Sequence, residues 1–386
     1  MDDEIRALIQ RIHDSEGHVM LVTAGAGAQA LAWLLGVAGA SRTLLEATVP
    51  YAQASFDDFL GRPPEQYVAA ETARMMAGRA LSRAQWLQGQ GDGGESTLIG
   101  LACTATIATD RPKRGEHRAH VATWQPGAVH SHYVLLEKGR RDRNGEEVLV
   151  SRLMLNSLAL AYGLDQQLDL AIGEGDQVRS EQFDLASSAR RLAREQIAYL
   201  AVQADGRVSE DDGVAPLILS GAFNPLHQGH LDLARAAQAE TGQPLAFELA
   251  AHNVDKPSLP PEDVLQRITQ FAGRWPIVVS NAPTFVEKSR LYPGATFVVG
   301  FDTAVRIIHP RYYGHSEAAM RQALDDIDER GCRFLVAGRL GEDGVFHKPT
   351  DLDPPAAFAH LFQPLPDFRR DISSTEMRES GERGSW

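Results

Sequence analysis

Short apolar runs alternate with amphipathic stretches in the second half of the chain, and no other feature of the sequence constrains the fold as strongly. The runs PLILSG, LAFELAA, PIVVSN, ATFVVGFD and RFLVAG each have the length and composition of a buried strand. Stretches with helical character separate them, such as GHLDLARAAQAETG, PEDVLQRITQFAGRW and SEAAMRQALDDIDERG. Strands that alternate with helices predict a parallel, doubly wound sheet.

The first half of the chain also mixes strand and helix signals, and 386 residues are enough for two domains. HVMLVTAGAGAQALAWLLGVAG predicts a buried strand, a glycine turn and a helix, and EEVLVSRLMLNSLALAYGL predicts a closing helix. From Asp165 onward the composition becomes polar, and SEQFDLASSARRLAREQIAYLAVQADG is expected to form one connecting helix. We therefore predict an α/β domain over 1–165, a helical connector and linker over 166–213, and a second α/β domain over 214–386.

Charge and cysteine content limit the possible partners. The chain has 51 acidic and 38 basic residues, a formal net charge of -13, which argues against a broad nucleic-acid surface. The two cysteines, Cys103 and Cys332, lie far apart and suggest neither a disulfide framework nor a zinc motif, which suits a reducing compartment. We find no signal-peptide pattern and no apolar run of the ~20 residues that a spanning helix needs. We expect a cytoplasmic protein without a membrane partner.

The run GAFNPLHQGH, residues 221–230, carries the clearest chemical signal. It follows an apolar strand and opens a helix, and ligands of open parallel sheets bind beyond the carboxyl ends of strands. Gly221 permits close backbone approach, and Asn224 with the following proline favours a turn. His227 and His230 share one face of the first helical turn, where free N–H groups and the helix dipole attract anions. The run predicts a polyphosphate site, and a histidine pair that merely caps the helix is the competing interpretation.

Two motifs in this half resemble those of a known enzyme superfamily. GAFNPLHQGH closely resembles the first signature of the nucleotidylyltransferases, and ISSTEMR, residues 372–378, resembles the ISSTxxR motif of nicotinamide or nicotinate mononucleotide adenylyltransferases. The resemblance covers about 216–378 and implies a Rossmann-like sheet. It implies catalytic roles for His227, His230 and Arg378. It also implies nucleotide contacts from Gly221, Phe223, Asn224, Lys256, Gly300, Asp302, Arg339, Ser373, Ser374 and Thr375, and Arg267 matches a family arginine. No residue is expected to form a metal site of its own.

The reaction implied by this resemblance is transfer of AMP from ATP to a phosphate-bearing acceptor, with release of pyrophosphate. Nicotinamide or nicotinate mononucleotide is the expected acceptor, which would place the enzyme in NAD biosynthesis. Mg²⁺ would enter with the triphosphate, since it keeps several waters and needs few protein ligands. A cytidylyltransferase with another acceptor, and a non-catalytic nucleotide-binding sensor or scaffold, remain alternatives. The acidic balance and the lack of a KMSKS-like run disfavour an aminoacyl-tRNA synthetase relative. Self-association into a homo-oligomer is expected by analogy only.

The first half resembles a second family, the CinA-type amidases, whose members deamidate nicotinamide mononucleotide. The resemblance covers about 20–164, but the functional residues differ. The family serine falls on Ala24, the motif threonine on Ala26, and the lysine that follows the tyrosine on Phe56. An amide hydrolase needs a nucleophile and a group that activates it, and these side chains supply neither. We therefore predict a catalytically inactive amidase-like domain. His130 and His132 share a strand face but lack an evident third ligand, so we expect no metal there.

Overall fold

The computed structural model describes residues 1–88, 97–111, 114–210, 213–252, 257–340, 346–366 and 368. The strands are β1 (His18–Ala24), β2 (Leu44–Thr48), β3 (Leu98–Thr106), β4 (His117–Gln125), β5 (Ala128–Leu136), β6 (Gln177–Asp184), β7 (Tyr199–Val202), β8 (Val208–Ser209), β9 (Leu217–Ser220), β10 (Leu245–Ala250), β11 (Ile277–Ser280), β12 (Thr296–Gly300), β13 (Arg333–Ala337), β14 (Arg339–Leu340), β15 (Phe346–His347) and β16 (Phe362–Pro364). The helices are α1 (Asp3–Asp14), α2 (Ala28–Leu35), α3 (Ala40–Thr43), α4 (Gln53–Leu60), α5 (Ala70–Gln88), α6 (Arg143–Ala161), α7 (Leu185–Ala193), α8 (Gln228–Thr241), α9 (Pro261–Thr269), α10 (Phe285–Leu291), α11 (Phe301–Ile307) and α12 (Glu317–Glu329). Among these helices, none is both long and apolar enough to cross a bilayer.

The first domain is built on a six-stranded sheet in the order β2-β1-β3-β4-β5-β6. Strand β1 is parallel to both β2 and β3, and the remaining pairs are antiparallel. Six of the seven residues of β1 are buried, because apolar side chains on both of its faces meet helices. Helix α5 packs on one face of the sheet, and α1, α2 and α6 cover the other.

The second domain is built on an eight-stranded sheet in the order β16-β13-β12-β9-β10-β11-β7-β8. The six strands from β16 to β11 in this order are mutually parallel, and β7 and β8 add an antiparallel edge. The chain runs from β9 outward through β10 to β11, then returns to the other side of β9 for β12 and β13. The two-domain α/β fold with a doubly wound parallel sheet, expected from the alternating runs, is confirmed.

The segment predicted as one connecting helix has a different structure. Within 166–213, β6 joins the sheet of the first domain, α7 follows, and β7 and β8 join the sheet of the second domain. The helical prediction was wrong here because β6 is an edge strand whose side chains are almost all exposed, so its residues are polar without alternation. Only pairing with β5 makes it a strand.

The two domains meet along α5 and the turn that follows α9. A Cβ on Gly78 would lie 2.4 Å from the Gly273 nitrogen, and a Cβ on Gly273 would lie 2.2 Å from the Met75 carbonyl oxygen. Close by, the buried Arg74 of α5 forms an ion pair of 2.7 Å with Asp205 in the β7–β8 turn. The backbones therefore pack directly against each other, and a buried ion pair joins α5 to the turn between β7 and β8.

Candidate functional site

The candidate site lies where the strand order of the second sheet reverses. Strand β9 has β10 on one side and β12 on the other. From β9 the chain first extends the sheet on the β10 side, and it later returns to extend the sheet on the β12 side. The loops that leave the carboxyl ends of β9 and β12 therefore diverge, and the crevice between them is the usual ligand position in this architecture. The motif at residues 221–230 begins at this crevice, and so does the segment with the predicted contacts Gly300 and Asp302.

The loop after β9 is shaped by an aromatic cluster beneath it. Phe223 is buried, and its ring contacts Phe247 and Phe271 edge-to-face, with centroids 5.4 and 5.2 Å apart. A Cβ on Gly221 would lie 2.7 Å from the Phe223 ring, so the glycine is required by this ring. The ring itself supports His230 edge-to-face at 5.1 Å. The buried side chain of Phe223 leaves only its backbone available to a ligand. The nucleotide contact predicted for Phe223 is therefore a prediction about its backbone alone.

His227 and His230 lie together at the start of α8. Their rings stack with centroids 3.7 Å apart, and the His227 backbone N–H donates to Nδ1 of His230 at 3.3 Å. His227 is buried, and its own Nδ1 has no hydrogen-bond partner among the described residues. A buried polar atom without a partner carries a desolvation cost, which a ligand can relieve.

The surroundings of the pair keep both imidazoles neutral. Burial and the charge of Arg339 lower the pKa of His227, and burial together with His227 lowers the pKa of His230 to about 3. At neutral pH each ring therefore has one N–H donor and no net charge, and a phosphate oxygen brought against them would favour protonation. The geometry suits binding of an anion.

The opposite side of the crevice contains the residues after β12 and β13. Gly300 precedes α11, and no heavy atom would lie within 4 Å of a Cβ placed on it. Asp302 lies in the first turn of α11 and pairs with Arg339 at 2.8 Å, and both side chains are nearly half exposed. The pair supplies one accessible cation and one accessible carboxylate next to the histidines.

Arg267 in the last turn of α9 and Gln270 at its C-cap support the histidine loop through hydrogen bonds. Arg267 Nη1 donates to the Ala222 carbonyl at 3.0 Å. Gln270 Nε2 donates to the Phe223 carbonyl at 3.0 Å, and its Oε1 accepts from the Leu226 N–H at 2.7 Å. Sequence comparison with the family identified Arg267 but gave no signal for Gln270. Only its position one helical turn after Arg267 could have suggested it.

The remaining predicted residues cannot be placed. Lys256, Ser373, Ser374, Thr375 and Arg378 lie outside the described residues. Of the described ones, Gly221, Asn224, His227 and His230 belong to one loop and helix start, and Gly300, Asp302 and Arg339 lie across the crevice. Their functional roles remain predictions. Throughout the described residues, no group of three His, Cys, Asp or Glu side chains could hold a metal ion, and Asp302 is the carboxylate at the crevice.

A second pocket, of about 240 Å³, lies in the first domain at the end of β1. Its described lining residues are Ala24, Gly25, Tyr51, Gln53, Phe56, Tyr67, Val68, Thr104 and Ala105. The Thr104 hydroxyl donates to the Tyr67 carbonyl at 2.6 Å, and among these residues no acid, base or thiol faces it. At the nearby start of α2, the N–H groups of Gly27 and Gln29 already have a partner, because both donate to the Glu147 carboxylate at 3.0 Å.

Comparison with known proteins gave matches for both halves. Residues 218–380 match the family model described as cytidylyltransferase-like. A probable nicotinate-nucleotide adenylyltransferase from Gloeobacter violaceus is 31% identical over 180 residues, which cover 42% of this chain and 81% of that protein.

Solved structures that are similar to this chain include two from bacteria. The competence/damage-inducible protein CihA from Agrobacterium tumefaciens is 22% identical with a TM-score of 0.33, and the match covers 43% of this chain and 98% of that one. A competence-damaged protein (CinA) superfamily member from Escherichia coli is 17% identical with a TM-score of 0.32, and the match covers 41% of this chain and 88% of that one.

Proposed function

The chain belongs to the cytidylyltransferase-like family, and on that premise we propose that this nucleotidyltransferase transfers AMP from ATP to nicotinate or nicotinamide mononucleotide. The observation that carries the proposal is the neutral, stacked pair of His227 and His230 at the topological switch point of the sheet. The name of the Gloeobacter relative supports nicotinate mononucleotide as the first acceptor to test.

The proposed reaction is a single in-line displacement. An oxygen of the acceptor phosphate attacks the α-phosphorus of ATP, the new P–O bond forms, and the bond to the bridging oxygen of pyrophosphate breaks. Because the displacement needs no covalent enzyme intermediate, the protein contributes positioning and stabilisation of charge. The products are a dinucleotide and pyrophosphate.

The residues of the crevice have distinct proposed roles in this step. His227 and His230 donate N–H groups to the phosphate oxygens on which charge grows, and the unpartnered Nδ1 of His227 gains a hydrogen bond. Arg339 lies close enough to affect the pKa of His227, and its guanidinium can neutralise the same phosphates once it leaves Asp302. Asp302 is the carboxylate that fits Mg²⁺ bound to the triphosphate, where the ion would offset phosphate charge.

Release of pyrophosphate tests this proposal. The purified chain is offered ATP or CTP with Mg²⁺ and, in turn, nicotinate mononucleotide, nicotinamide mononucleotide and phosphopantetheine. We expect turnover with ATP and one of the two mononucleotides. In His230→Ala, kcat should fall about 10²–10³-fold, the usual effect of losing one transition-state donor. His360→Ala is the matched control, because His360 is half exposed and pairs with Asp328 near the end of α12, before β13, whereas the crevice lies at the carboxyl ends of the strands. Binding of ATP without turnover of any pair would support a nucleotide sensor.

For the first domain we propose a binding role without amide hydrolysis. The pocket at the end of β1 keeps aromatic walls, while Ala24 and Phe56 replace the side chains that hydrolysis needs. Incubation with nicotinamide mononucleotide should therefore release no ammonia above a buffer blank. Ammonia release that is lost in Thr104→Val would contradict the proposal, since Thr104 supplies a hydroxyl to this pocket and pairs with Ala24 at the end of β1.

A further inference from the structure

Gln270 holds the histidine loop by both hydrogen-bonding ends of its amide. Its Nε2 donates to the carbonyl of Phe223 and its Oε1 accepts from the N–H of Leu226, with distances of 3.0 and 2.7 Å. The two backbone groups flank Asn224 and Pro225, and the Leu226 N–H immediately precedes His227. An amide matches this donor and acceptor pair, whereas a carboxylate or an apolar side chain of similar length would satisfy one group or none.

The loop needs such support because its backbone conformation is unfavourable. Phe223 has a φ of +45°, a left-handed value that a bulky residue rarely adopts. Such a conformation persists only where the surrounding structure imposes it, and strained residues concentrate at functional sites. Without the Gln270 contacts, the loop could relax, and the start of α8 would move with it.

The helix end that presents Gln270 is itself fixed by the first domain. Two residues that follow it, Ala272 and Gly273, lie against α5, where Gly78 and Gly273 are in direct backbone contact. Ser82 Oγ also donates to the Ala272 carbonyl at 3.4 Å, and Gln85 Nε2 donates to the Gln266 carbonyl at 3.2 Å. A continuous set of contacts therefore runs from α5 through the end of α9 to the histidine loop.

We infer that Gln270 is a positioning residue for His227 and His230, and that α5 of the first domain fixes the helix end from which it acts. The inference rests on the proposed transferase function. It gives the first domain a role in the reaction that requires no chemistry of its own, since it supports the loop that binds the phosphates.

The test compares Gln270→Leu and Gln270→Glu with the parent chain, and uses Gln322→Leu on the exposed face of α12 as the matched control. In Gln270→Leu we expect kcat to fall about 10–100-fold, because misplacing a reacting group by about 1 Å lowers the rate by this order. The KM for ATP should change little. Gln270→Glu keeps the acceptor for the Leu226 N–H, so its kcat should fall less than that of Gln270→Leu. A kcat of Gln270→Leu equal to that of the control would overturn the positioning role.

A second measurement does not depend on activity. The Leu226 amide donates to Gln270, so its hydrogen exchange should be slow in the parent chain and at least tenfold faster in Gln270→Leu. If the parent shows no turnover with any substrate pair, the proposed function fails, and the exchange result still decides whether the loop is held by Gln270. Equal exchange in both chains would overturn the clamp itself.

The contribution of α5 is tested by Gly78→Ala and by the milder Gln85→Ala, with folding checked by thermal unfolding. Each should lower kcat in the parent chain but have no further effect in Gln270→Leu, because both act through the same contact. An equal loss in both backgrounds would overturn the part of the inference that concerns the first domain.

Discussion

The ion pair between Arg74 and Asp205 gives a quantitative test of how firmly the two domains are joined. Both side chains are almost fully buried, with exposures of 6% and 2%, and Arg74 Nη2 lies 2.7 Å from Oδ2 of Asp205. Arg74 Nε also donates to the Asp205 backbone carbonyl at 3.2 Å. Asp205→Asn removes the charge with little change of shape and leaves a buried guanidinium.

Breaking one partner of a buried pair costs about 3–5 kcal/mol of unfolding free energy. Glu181 remains 3.4 Å from Arg74, but it is 64% exposed and compensates little, because exposed pairs contribute about 0–1 kcal/mol. Asp205 also pairs with the exposed Arg207 at 2.9 Å, and weakening this pair adds only a similarly small amount to the loss of unfolding free energy. We expect Asp205→Asn to lower the free energy of unfolding by about 3–4 kcal/mol.

Urea denaturation followed by tryptophan fluorescence measures this change, and the ring of Trp124 lies against Gly206, next to the substituted residue. Glu317→Gln is the matched control: its pair with Arg321 has a similar distance, 2.9 Å, but is exposed and should cost only about 0.3–0.5 kcal/mol. Arg74→Met combined with Asp205→Leu should recover most of the loss. If Asp205→Asn costs no more than Glu317→Gln, the two domains do not pack as described.

Three further predictions concern stability. Glu248→Gln should lower the unfolding free energy by about 3–5 kcal/mol in urea titrations, because it leaves Lys288 buried beside a neutral amide, and a loss below 1 kcal/mol would contradict this. Gly273→Ala should cost about 2–4 kcal/mol, since its φ is +74° and the new Cβ meets α5, whereas Gly115→Ala, with open space, should change the midpoint little. The pKa of His230 is about 3 when folded against 6.5 as a free group, so the unfolded chain binds more protons between these values. Stability should therefore fall by up to about 1.4 kcal/mol per pH unit as pH drops below 6.5, and His230→Gln should reduce this slope.

Much of the second domain could be predicted from the sequence because its strands are buried on both faces. Such strands appear as short apolar runs, and β9 to β13 all lie within the runs identified. The histidine pair was equally visible, because helical spacing alone brings residues three apart onto one face. Neither the strands nor the histidine pair needed knowledge of tertiary contacts to be predicted.

Other features depend on contacts between distant segments, and the sequence does not reveal them. Strand β6 has no apolar alternation, so its pairing with β5 could not be recognised. The family resemblance implied a nucleotide contact from Phe223, yet its side chain fills the space above Gly221 and lies inside the aromatic cluster. Gln270 gave no signal because its role depends on two backbone groups more than forty residues earlier.

The edge strands β7 and β8 have a consequence for how this protein can be divided. They precede residue 214 in the chain, yet β7 covers the open side of β11 through four paired residues. A fragment that begins at 214 would leave β11, whose four residues are all buried in the intact chain, as a bare edge that invites strand addition from another molecule and aggregation. A fragment that begins near 195 would keep β7 and β8, so β11 would stay covered. The transferase domain is thus covered at this edge by residues that the linear order assigns to the connector, and any excised transferase module must include them.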